Sequence, residues 1–341
     1  MNVSTALNKK YIPYTIVMLT SLCENNPCHV DAYLLSAELE KSDYDKISRA
    51  LEDYDIDIHP LRVDRELFTD KMPRDLKWTV EMYFRLLLWD MLPEDVNRIL
   101  YLDVDIIVNR DIQEMYAQDF EGAELVVCQD NCGIKTNDPR SETQCRMFAD
   151  MDKAGGIYFN SGVMLANVEA LRGNYPFSVY VDAMEAWGYE MKAPDQDILN
   201  YVHWKKLKYQ DPLKYNCYSH YLRIMKVPVE EVDKTTSIVH FIANKPWSAK
   251  DTHYSIEQIW WRYAKKTKIY HEILEIFLDN TMSDFSLYDK VDFLINERAR
   301  LTDENERLKS AYEQSQSAVN ELSEINRQLI DYLDKLTGNA N

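Results

Sequence analysis

Two kinds of hydrophobic pattern alternate along the first 275 residues, and together they predict an α/β fold. Apolar residues at helical spacing predict helices at residues 14–24, 43–54, 80–91 and 175–186. Shorter apolar runs between them predict strands at residues 30–35, 56–63, 99–108 and 159–167. Strands that alternate with helices are typical of a mainly parallel sheet with helices on its faces. Because ligands of such sheets bind beyond the carboxyl ends of the strands, we expect a functional site there.

A long polar segment interrupts this alternation at residues 130–156, where Asn, Asp and Gly are frequent. The pattern predicts a loop. Long loops inside compact domains commonly serve as lids or substrate flaps, so we expect this one to border the functional site.

A heptad pattern begins near residue 291 and continues to residue 337. One heptad position, interrupted by Ser315, is occupied by Leu294, Leu301, Leu308, Leu322, Leu329 and Leu336. A repeat of 3.5 residues over about six heptads predicts a coiled coil, and Asn at its seam favours two parallel strands. The alternative is one long amphipathic helix folded back on the preceding residues. The predicted organisation is a globular domain at residues 1–275, a linker at 276–290 and a coiled coil at 291–337.

Composition narrows the class of protein. The formal net charge of -18 argues against nucleic acid as the main partner. The six cysteines follow no framework spacing; Cys128, Cys132 and Cys145 would be the zinc alternative, but paired C-x2-C ligands are missing. We therefore expect free thiols in a reducing cytoplasm. No apolar run reaches the ~18 residues of a membrane span and no secretion signal is evident, so we expect a soluble, cytoplasmic protein.

Asp103 and Asp105 follow an apolar run, and a second apolar run comes after them. In a strand, alternate residues point to the same side, so the two carboxylates would project together where the buried strand ends. Such a pair repels itself unless a cation is bound, and a divalent metal shared with a diphosphate is the natural candidate. The alternative is a surface turn in which both acids meet water.

Four segments, in this order, resemble motifs of the family 8 glycosyltransferases. They are R-I-L-Y-L-D-V-D at residues 98–105, Y-F-N-S-G-V-M-L-A-N at 158–167, D-Q-D-I-L-N at 195–200 and V-H-F-I-A-N-K-P-W at 239–247. This retaining family includes bacterial galactosyl- and glucosyltransferases and glycogenin. The resemblance covers residues 1–275 and leaves the heptad segment outside. It implies a GT-A type fold, a Rossmann-like mixed α/β sheet flanked by helices, with a C-terminal helical coiled-coil extension.

The resemblance implies that Asp103, Asp105 and His240 bind Mn²⁺ or Mg²⁺, which the diphosphate of UDP would share. Two carboxylates and an imidazole suit manganese better than soft ligands would. Lys245 would contact the phosphates as a point charge. The chain departs from the family at Ala243, where Gly is usual, and its His-to-Lys spacing is one residue shorter. The Ala243 backbone N–H would still reach a phosphate.

Residues 3–11 resemble the family's first strand and uridine-binding turn. The resemblance implies that Tyr11 stacks on uracil, while the Ala6 backbone and the Asn8 side chain read its edge. The family commonly has Asp where this chain has Asn8. The amide oxygen of Asn8 can still accept the uracil N–H, without the charge.

The resemblance also implies a donor-sugar site. Its residues would be Arg85, Asn160, Asp195 and Gln196, and further contacts to the UDP-sugar are expected from Val104, Asp130 and Ser161. Arg and carboxylate side chains supply the bidentate partners that sugar hydroxyls need. Asp195 and Asp197 could instead be acids that interact only with the dipole at a helix amino terminus. We expect that one of the two has this structural role.

The predicted reaction moves glucose or galactose from a UDP-sugar, with retention, to a saccharide or lipid-linked acceptor of cell-surface glycan synthesis. The metal and Lys245 would stabilise the departing diphosphate. Asp195 and Gln196 complete the implied catalytic set; an amide is a poor nucleophile, so Gln196 has a positioning role. The leaving phosphate would take the acceptor proton.

Two other functions fit part of the pattern. An apolar strand ending in D-x-D also occurs in haloacid-dehalogenase-type phosphatases, but that reaction leaves His240 unexplained. A non-catalytic assembly protein with a relic sugar-nucleotide site would explain the coiled coil but not the intact carboxylates.

Residues 260–266 could rest on a membrane surface or form a packed helix. We expect a homodimer through the coiled coil, with peripheral contact at the inner face of the membrane.

Overall fold

The structure, a computed structural model, describes residues 1–73, 79–133, 140–242, 244–248, 253–282 and 285–338. The chain divides into two compact units, Met1–Phe277 and Leu278–Asn341. The predicted linker at residues 276–290 is largely helical, because one helix continues to Met282 and the next begins at Phe285. The extent of the coiled coil stays a prediction.

The strands of the first unit form two sheets. In chain order they are β1 (Asn2–Ala6), β2 (Val30–Ser36), β3 (Ile56–Arg62), β4 (Arg98–Leu102), β5 (Ile106–Val108), β6 (Leu125–Gln129), β7 (Phe159–Asn167), β8 (Leu207–Gln210), β9 (Cys217–Tyr218) and β10 (Ile238–His240). The larger sheet has the order β3-β2-β1-β4-β7-β6-β8, and the smaller has the order β5-β10-β9. The larger sheet is mixed. Strand β7 runs antiparallel to both β4 and β6, while the other neighbouring strands of this sheet are parallel to each other.

Helices cover both faces of the larger sheet and also form the second unit. In chain order they are α1 (Ile12–Asn25), α2 (Lys41–Ala50), α3 (Leu88–Met91), α4 (Gln113–Ala117), α5 (Glu142–Met147), α6 (Ala149–Lys153), α7 (Val168–Leu171), α8 (Phe177–Ala186), α9 (Pro194–His203), α10 (Pro212–Tyr215), α11 (Ser219–Ile224), α12 (Val229–Thr235), α13 (Gln258–Ala264), α14 (Tyr270–Met282) and α15 (Phe285–Gly338). Short 3-10 helices lie at Lys9–Tyr11, Arg65–Leu67, Val80–Leu87, Asp130–Gly133 and Ser255–Glu257. No helix in the described ranges is long and apolar enough to cross a membrane.

The central strand β4 separates two hydrophobic cores. Ile99 and Tyr101 pack into one core, and Leu100 and Leu102 pack into the other. Because alternate residues of a strand face opposite sides, an unbroken apolar run is what a strand covered on both faces requires.

Three predicted elements differ from the structure. The predicted strand 99–108 is two strands, β4 and β5, which belong to different sheets and are joined by a turn at residues 103–105. The predicted helix 80–91 begins as a 3-10 helix and becomes α-helical at Leu88. The predicted loop 130–156 contains α5 and α6, although residues 134–139 lie outside the described ranges.

One side of residues 260–266 packs into the core. Trp260 is fully buried and packs against Trp247 and Trp261, with ring centroids 5.2 and 5.0 Å away. The structure thus shows the predicted packed helix, while Arg262, Lys265 and Lys266 are exposed and membrane contact stays a prediction.

Candidate active site

The acidic turn between β4 and β5 is held by the strands beside it. The Asp103 backbone N–H donates to the Gly162 carbonyl on β7 at 2.9 Å, and the Phe241 N–H donates to the Asp105 carbonyl at 2.8 Å. These bonds bring the carboxyl ends of β4 and β10 next to the amino-terminal half of β7, which runs antiparallel to β4. The two acids therefore converge because of the turn, not because they alternate along one strand.

Asp103, Asp105 and His240 form a cluster in which one ligand atom of each lies within 4.8 Å of the others. The His240 Nε2 atom is 3.1 Å from Asp105 Oδ1 and 3.9 Å from Asp103 Oδ2. Its Nδ1 atom is 2.8 Å from the amide oxygen of Asn216. A bond to that oxygen places the proton on Nδ1 and leaves the Nε2 lone pair facing the carboxylates, as metal ligation requires.

A hydrogen-bonded chain behind the cluster fixes these positions. The Asn216 amide donates to Asn160 Oδ1 at 2.8 Å, and the same oxygen accepts the Gly162 N–H at 3.1 Å. A Cβ atom on Gly162 would lie 2.4 Å from His240 Cε1 and 2.7 Å from Asp103 Oδ2. Glycine at this position is therefore what allows the imidazole and the carboxylate to approach each other.

Lys245 forms an ion pair with Asp105, and its ammonium also donates to the Phe241 carbonyl at 3.0 Å. Burial by itself raises the pKa of the Asp105 carboxyl, but the charge of Lys245, together with the contact to His240, outweighs burial and lowers that pKa below its ordinary value. Asp105 is therefore ionised at neutral pH and available as a ligand.

Arg85 joins the acidic turn to helix α9. Its buried guanidinium lies 2.7 Å from Asp103 Oδ1 and 3.2 Å from Asp195 Oδ2. It also donates to the Ser161 carbonyl at 2.8 Å and packs over the Tyr101 ring at 4.6 Å. Burial raises the pKa of Asp195, while the Arg85 charge acts in the opposite direction. The two carboxylates hold the Arg85 guanidinium in one position, from which it can bind polar groups of a ligand.

Gln196 has its side-chain oxygen committed to the protein. That oxygen accepts from the Asn160 amide at 2.9 Å and from the Ser161 N–H at 3.0 Å. These two donors occupy the lone pairs a nucleophilic oxygen would need. The geometry is consistent with a residue that positions a ligand.

Asp195 and Asp197 have different environments although both lie in the first turn of α9. Asp195 faces Arg85 and the site. Asp197 is fully buried and accepts from Gln144 at 3.0 Å, from the Tyr158 hydroxyl at 2.7 Å and from backbone N–H groups. Asp197 is therefore the structural acid of the pair.

Asp130 lies at the start of the polar segment, at the edge of the site. Its carboxylate accepts from the Tyr218 hydroxyl at 2.5 Å and from the Asn131 amide at 2.6 Å. Burial raises the pKa of Asp130. Tyr218 also contacts His240 edge-on, with ring centroids 5.8 Å apart, so Asp130 is linked to the cluster through this ring.

Two adjoining cavities meet at the acidic turn. One, of about 240 Å³, lies beside β1, and the other, of about 320 Å³, lies beside β7 and α9. The first is lined by Ala6, Asn8, Tyr11 and Val104, the second by Asp130, Asn160, Ser161, Asp195, Gln196 and His240, and both by Arg85, Asp103, Asp105 and Lys245. The structure thus brings the predicted site residues together, apart from Ala243, which lies outside the described residues.

The cavity walls carry an excess of negative charge. Five carboxylates, from Glu81, Asp103, Asp105, Asp130 and Asp195, line the two cavities beside the cationic side chains of Arg85 and Lys245. An anionic ligand would be repelled unless a cation were bound with it. A divalent ion held by two carboxylates and an imidazole supplies that charge.

The Asn8 side chain also has a structural role in its own turn. Its side-chain oxygen accepts from the Lys10 N–H at 3.1 Å and caps the 3-10 helix Lys9–Tyr11. This cap holds Tyr11, which is 37% exposed and sits edge-on to Tyr14. An exposed ring beside a cavity is free to stack on a planar ligand.

Sequence reasoning missed three residues that complete the site: Gly162, Asn216 and Tyr218. Gly162 lies inside a segment already singled out, and its size is the signal that could have identified it. Asn216 and Tyr218 lie in no such segment. Their roles depend on β9 pairing with β10, which brings Tyr218 opposite His240.

Comparisons with known proteins identify the family. The sequence profile of glycosyl transferase family 8 matches residues 2–251. A lipopolysaccharide 1,2-glucosyltransferase of Escherichia coli is 27% identical over 261 residues, which cover 72% of this chain and 73% of that protein. A lipopolysaccharide 1,3-galactosyltransferase of Salmonella typhimurium is 23% identical over 250 residues, 72% of each chain.

A similar fold occurs among solved structures. The galactosyltransferase LgtC, crystallised with donor and acceptor sugar analogues, aligns with a TM-score of 0.66 at 22% identity. The alignment covers 79% of this chain and 96% of that one. This likeness shows the fold, a mixed α/β sheet of the GT-A type.

Proposed function

The chain belongs to glycosyl transferase family 8 and is a hexosyltransferase, and from this premise we propose a metal-dependent, retaining enzyme that uses a UDP-sugar. It moves glucose or galactose to a saccharide or lipid-linked acceptor in cell-surface glycan synthesis. The named activities of the Escherichia coli and Salmonella relatives support hexosyl transfer of this kind.

The observation that carries the proposal is the position of the Asp103, Asp105 and His240 cluster. Asp103 and Asp105 lie on the wall shared by the two cavities, between Tyr11 on one side and Gln196 on the other, and His240 lines the second cavity. A nucleotide in the first cavity and a sugar in the second would have their diphosphate at the cluster. The phosphatase alternative gives no role to the second cavity.

The donor set fits Mn²⁺, or Mg²⁺ in its place. Two carboxylate oxygens and an imidazole nitrogen with its lone pair directed inward are ligands that manganese accepts, and open positions remain for phosphate oxygens. A metal ion bound here would act as a Lewis acid on the departing diphosphate.

The chain's own residues supply the rest of the mechanism. Lys245, which pairs with Asp105, would neutralise the charge that develops on the β-phosphate as it leaves the sugar. Arg85 and Asp195 present a fixed polar pair to the sugar hydroxyls. Gln196 holds the sugar and is not the nucleophile, because its oxygen already accepts two hydrogen bonds. The acceptor proton passes to the leaving phosphate oxygen on the same face.

The second unit supports a homodimer. Helix α15 is 54 residues long, and Leu308, Tyr312, Val319, Leu322 and Leu329 are each more than half exposed along its heptad seam. Because exposed apolar residues at a/d spacing are stabilised by a second helix with the same spacing, we assign this face to a second copy of the chain. The seam residues Leu294, Leu301 and Leu336 have side chains outside the described set.

The proposed location is the cytoplasm, at the inner face of the membrane. The six cysteines follow no disulfide framework spacing, which suits a reducing compartment. The exposed Arg262, Lys265 and Lys266 at the end of α13 would suit contact with a membrane surface.

A screen of nucleotide sugars, read by mass spectrometry, tests the proposal. The full-length protein with Mn²⁺ is expected to release hexose from UDP-glucose or UDP-galactose slowly without acceptor. GDP- and CMP-sugars are the controls. Turnover of no UDP-sugar, together with no binding of UDP, would favour the relic-site alternative.

A further inference from the structure

We propose that the protein has a second divalent-cation site, for Zn²⁺, built from His29, Asp31 and Asp57 at the amino-terminal ends of β2 and β3. This end of the sheet is opposite to the active site, which lies at the carboxyl ends of the strands. The site is independent of the proposed reaction.

The sheet register brings two of the three ligand residues together, with His59 beside them. β2 and β3 are parallel neighbours in which Asp31 pairs with Asp57 and Tyr33 pairs with His59. Because alternate residues of a strand face the same side, Asp31, Asp57 and His59 share one face. His29 immediately precedes β2 and reaches the same place.

The distances fit ligands around an ion better than hydrogen bonds. The His29 Nε2 atom lies 3.5 Å from Asp31 Oδ1 and 3.7 Å from Asp57 Oδ2, and the three ligand atoms lie within 4.8 Å of one another. Zinc bonds of about 2.0–2.1 Å in a tetrahedron separate neighbouring ligand atoms by roughly 3.4 Å. If the three side chains moved slightly closer together, their ligand atoms would have the separations found around zinc.

An orienting carboxylate identifies the ligand nitrogen of His29. Its other ring nitrogen, Nδ1, is 2.7 Å from Asp55 Oδ1. A carboxylate that accepts the Nδ1 proton directs the Nε2 lone pair outward, which is the arrangement found behind histidine ligands of zinc. His59 supports the site without being a ligand: its Nε2 atom is hydrogen-bonded to Asp31 Oδ1 at 2.8 Å, and stacking on Tyr33 holds its ring.

Charge also favours a cation here. Asp31 and Asp57 are directly opposite on adjacent strands, where like charges destabilise a sheet. Among the described residues, the ion-pair partners within 4.0 Å of Asp31, Asp55 and Asp57 are two imidazoles, so three carboxylates face two histidines. One imidazole and two carboxylates are ligands that zinc accepts, and a water molecule would fill the fourth position.

Calorimetric titration of the metal-free, full-length protein with ZnCl₂ tests this site. The titration is done in an Asp105→Asn background, which removes a ligand of the active-site cluster. We expect one zinc ion per chain in that background. Adding His29→Gln should abolish this binding, and adding Asp55→Asn should weaken it about 10–100-fold, because Asp55 only orients the imidazole.

Asp53→Asn is the matched control. Asp53 is an exposed acid two residues before Asp55, and it pairs with Lys268. It should leave zinc binding unchanged. A Co²⁺ titration gives a second readout, with the visible absorption of tetrahedral cobalt expected in the background protein and lost in His29→Gln. Zinc binding that is absent in the background, or that survives His29→Gln, would overturn the proposal. Thermal melting without metal confirms that each variant is folded.

Discussion

At the scale of single residues, the sequence predicted that one of two similar acids faces the site but not which one. Asp195 and Asp197 belong to one motif and one helical turn, yet Asp195 faces Arg85 and Asp197 accepts buried protein hydrogen bonds. The difference comes from what α9 packs against. No pattern within the motif contains that information.

Replacing these two acids should therefore have opposite consequences. Asp195→Asn is expected to reduce UDP-sugar turnover on the order of 100-fold, because a charge near the sugar is lost, with little change in melting temperature. Asp197→Asn should destabilise the fold by about 1–3 kcal/mol. The amide nitrogen that replaces one carboxylate oxygen is a hydrogen-bond donor, and it would face groups that also donate. Turnover per folded molecule should survive in Asp197→Asn. Steady-state kinetics beside urea unfolding of both variants checks this, and equal loss of turnover in the two would contradict the assignment.

Gly162 gives a second test at this scale. In Gly162→Ala the added methyl group would overlap His240 and Asp103, so we expect Mn²⁺ affinity to fall at least tenfold. Gly122→Ala is the control, since an added Cβ there meets nothing within 4 Å. That control costs some stability because Gly122 has a φ of +84°, but it should bind Mn²⁺ normally. Calorimetric Mn²⁺ titrations compare the two, and unchanged affinity in Gly162→Ala would exclude the close packing described here.

At the scale of elements, the hydrophobic pattern predicted where strands and helices lie better than it predicted how they pair. The run at residues 99–108 looks like one strand because both halves are buried, but β5 leaves the larger sheet to pair with β10. Pairing between distant strands depends on the whole chain and leaves no local signal. For the same reason Asn216, which orients His240, could not be found from sequence alone.

A buried network shows how elements are joined away from the site. Glu124, at the start of β6, accepts from His203 on α9 at 2.8 Å, from Lys206 at 2.8 Å and from the Tyr175 hydroxyl at 2.7 Å. Burial raises the pKa of Glu124, but these three bonds outweigh it and lower the pKa below its ordinary 4.5. Burial lowers the pKa of His203 below its ordinary 6.5.

The free energy of unfolding should therefore decrease on acidification. A lowered His pKa means that protonation below about pH 6.5 favours the unfolded chain, and a lowered Glu pKa has the same effect below about pH 4.5. Glu124→Gln should cost about 2 kcal/mol at pH 7 and flatten the decrease below pH 4.5. Urea unfolding from pH 7 to pH 4 measures both. Parallel curves for the variant and the wild type would show that Glu124 is not responsible.

At the scale of the whole molecule, the heptad pattern and the family motifs predicted two units of different character. The structure divides at Phe277, close to the predicted end of the globular domain. Helix α15 agrees with the predicted helical tail. The number of chains that associate depends on an interface between chains, so it stays a proposal.

Charges placed on the seam of α15 test the proposed dimer. Leu322→Glu with Leu329→Glu should convert a dimer into a monomer, because like charges would face each other across the seam. Ser310→Glu with Ser317→Glu adds the same charge on the opposite face of the helix and should leave the dimer intact. Light scattering after size exclusion gives the mass. A wild-type monomer, or a dimer that tolerates the seam charges, would contradict the proposal.

The central claim is that Asp103, Asp105 and His240 hold a metal ion that binds the diphosphate of a UDP-sugar. The most direct test is calorimetric titration of UDP into the full-length protein with and without Mn²⁺, in the wild type and in Asp105→Asn. We expect Mn²⁺ to raise UDP affinity at least 100-fold in the wild type and to have little effect in the variant. Equal UDP affinity with and without Mn²⁺, or an equal Mn²⁺ effect in Asp105→Asn, would contradict the claim.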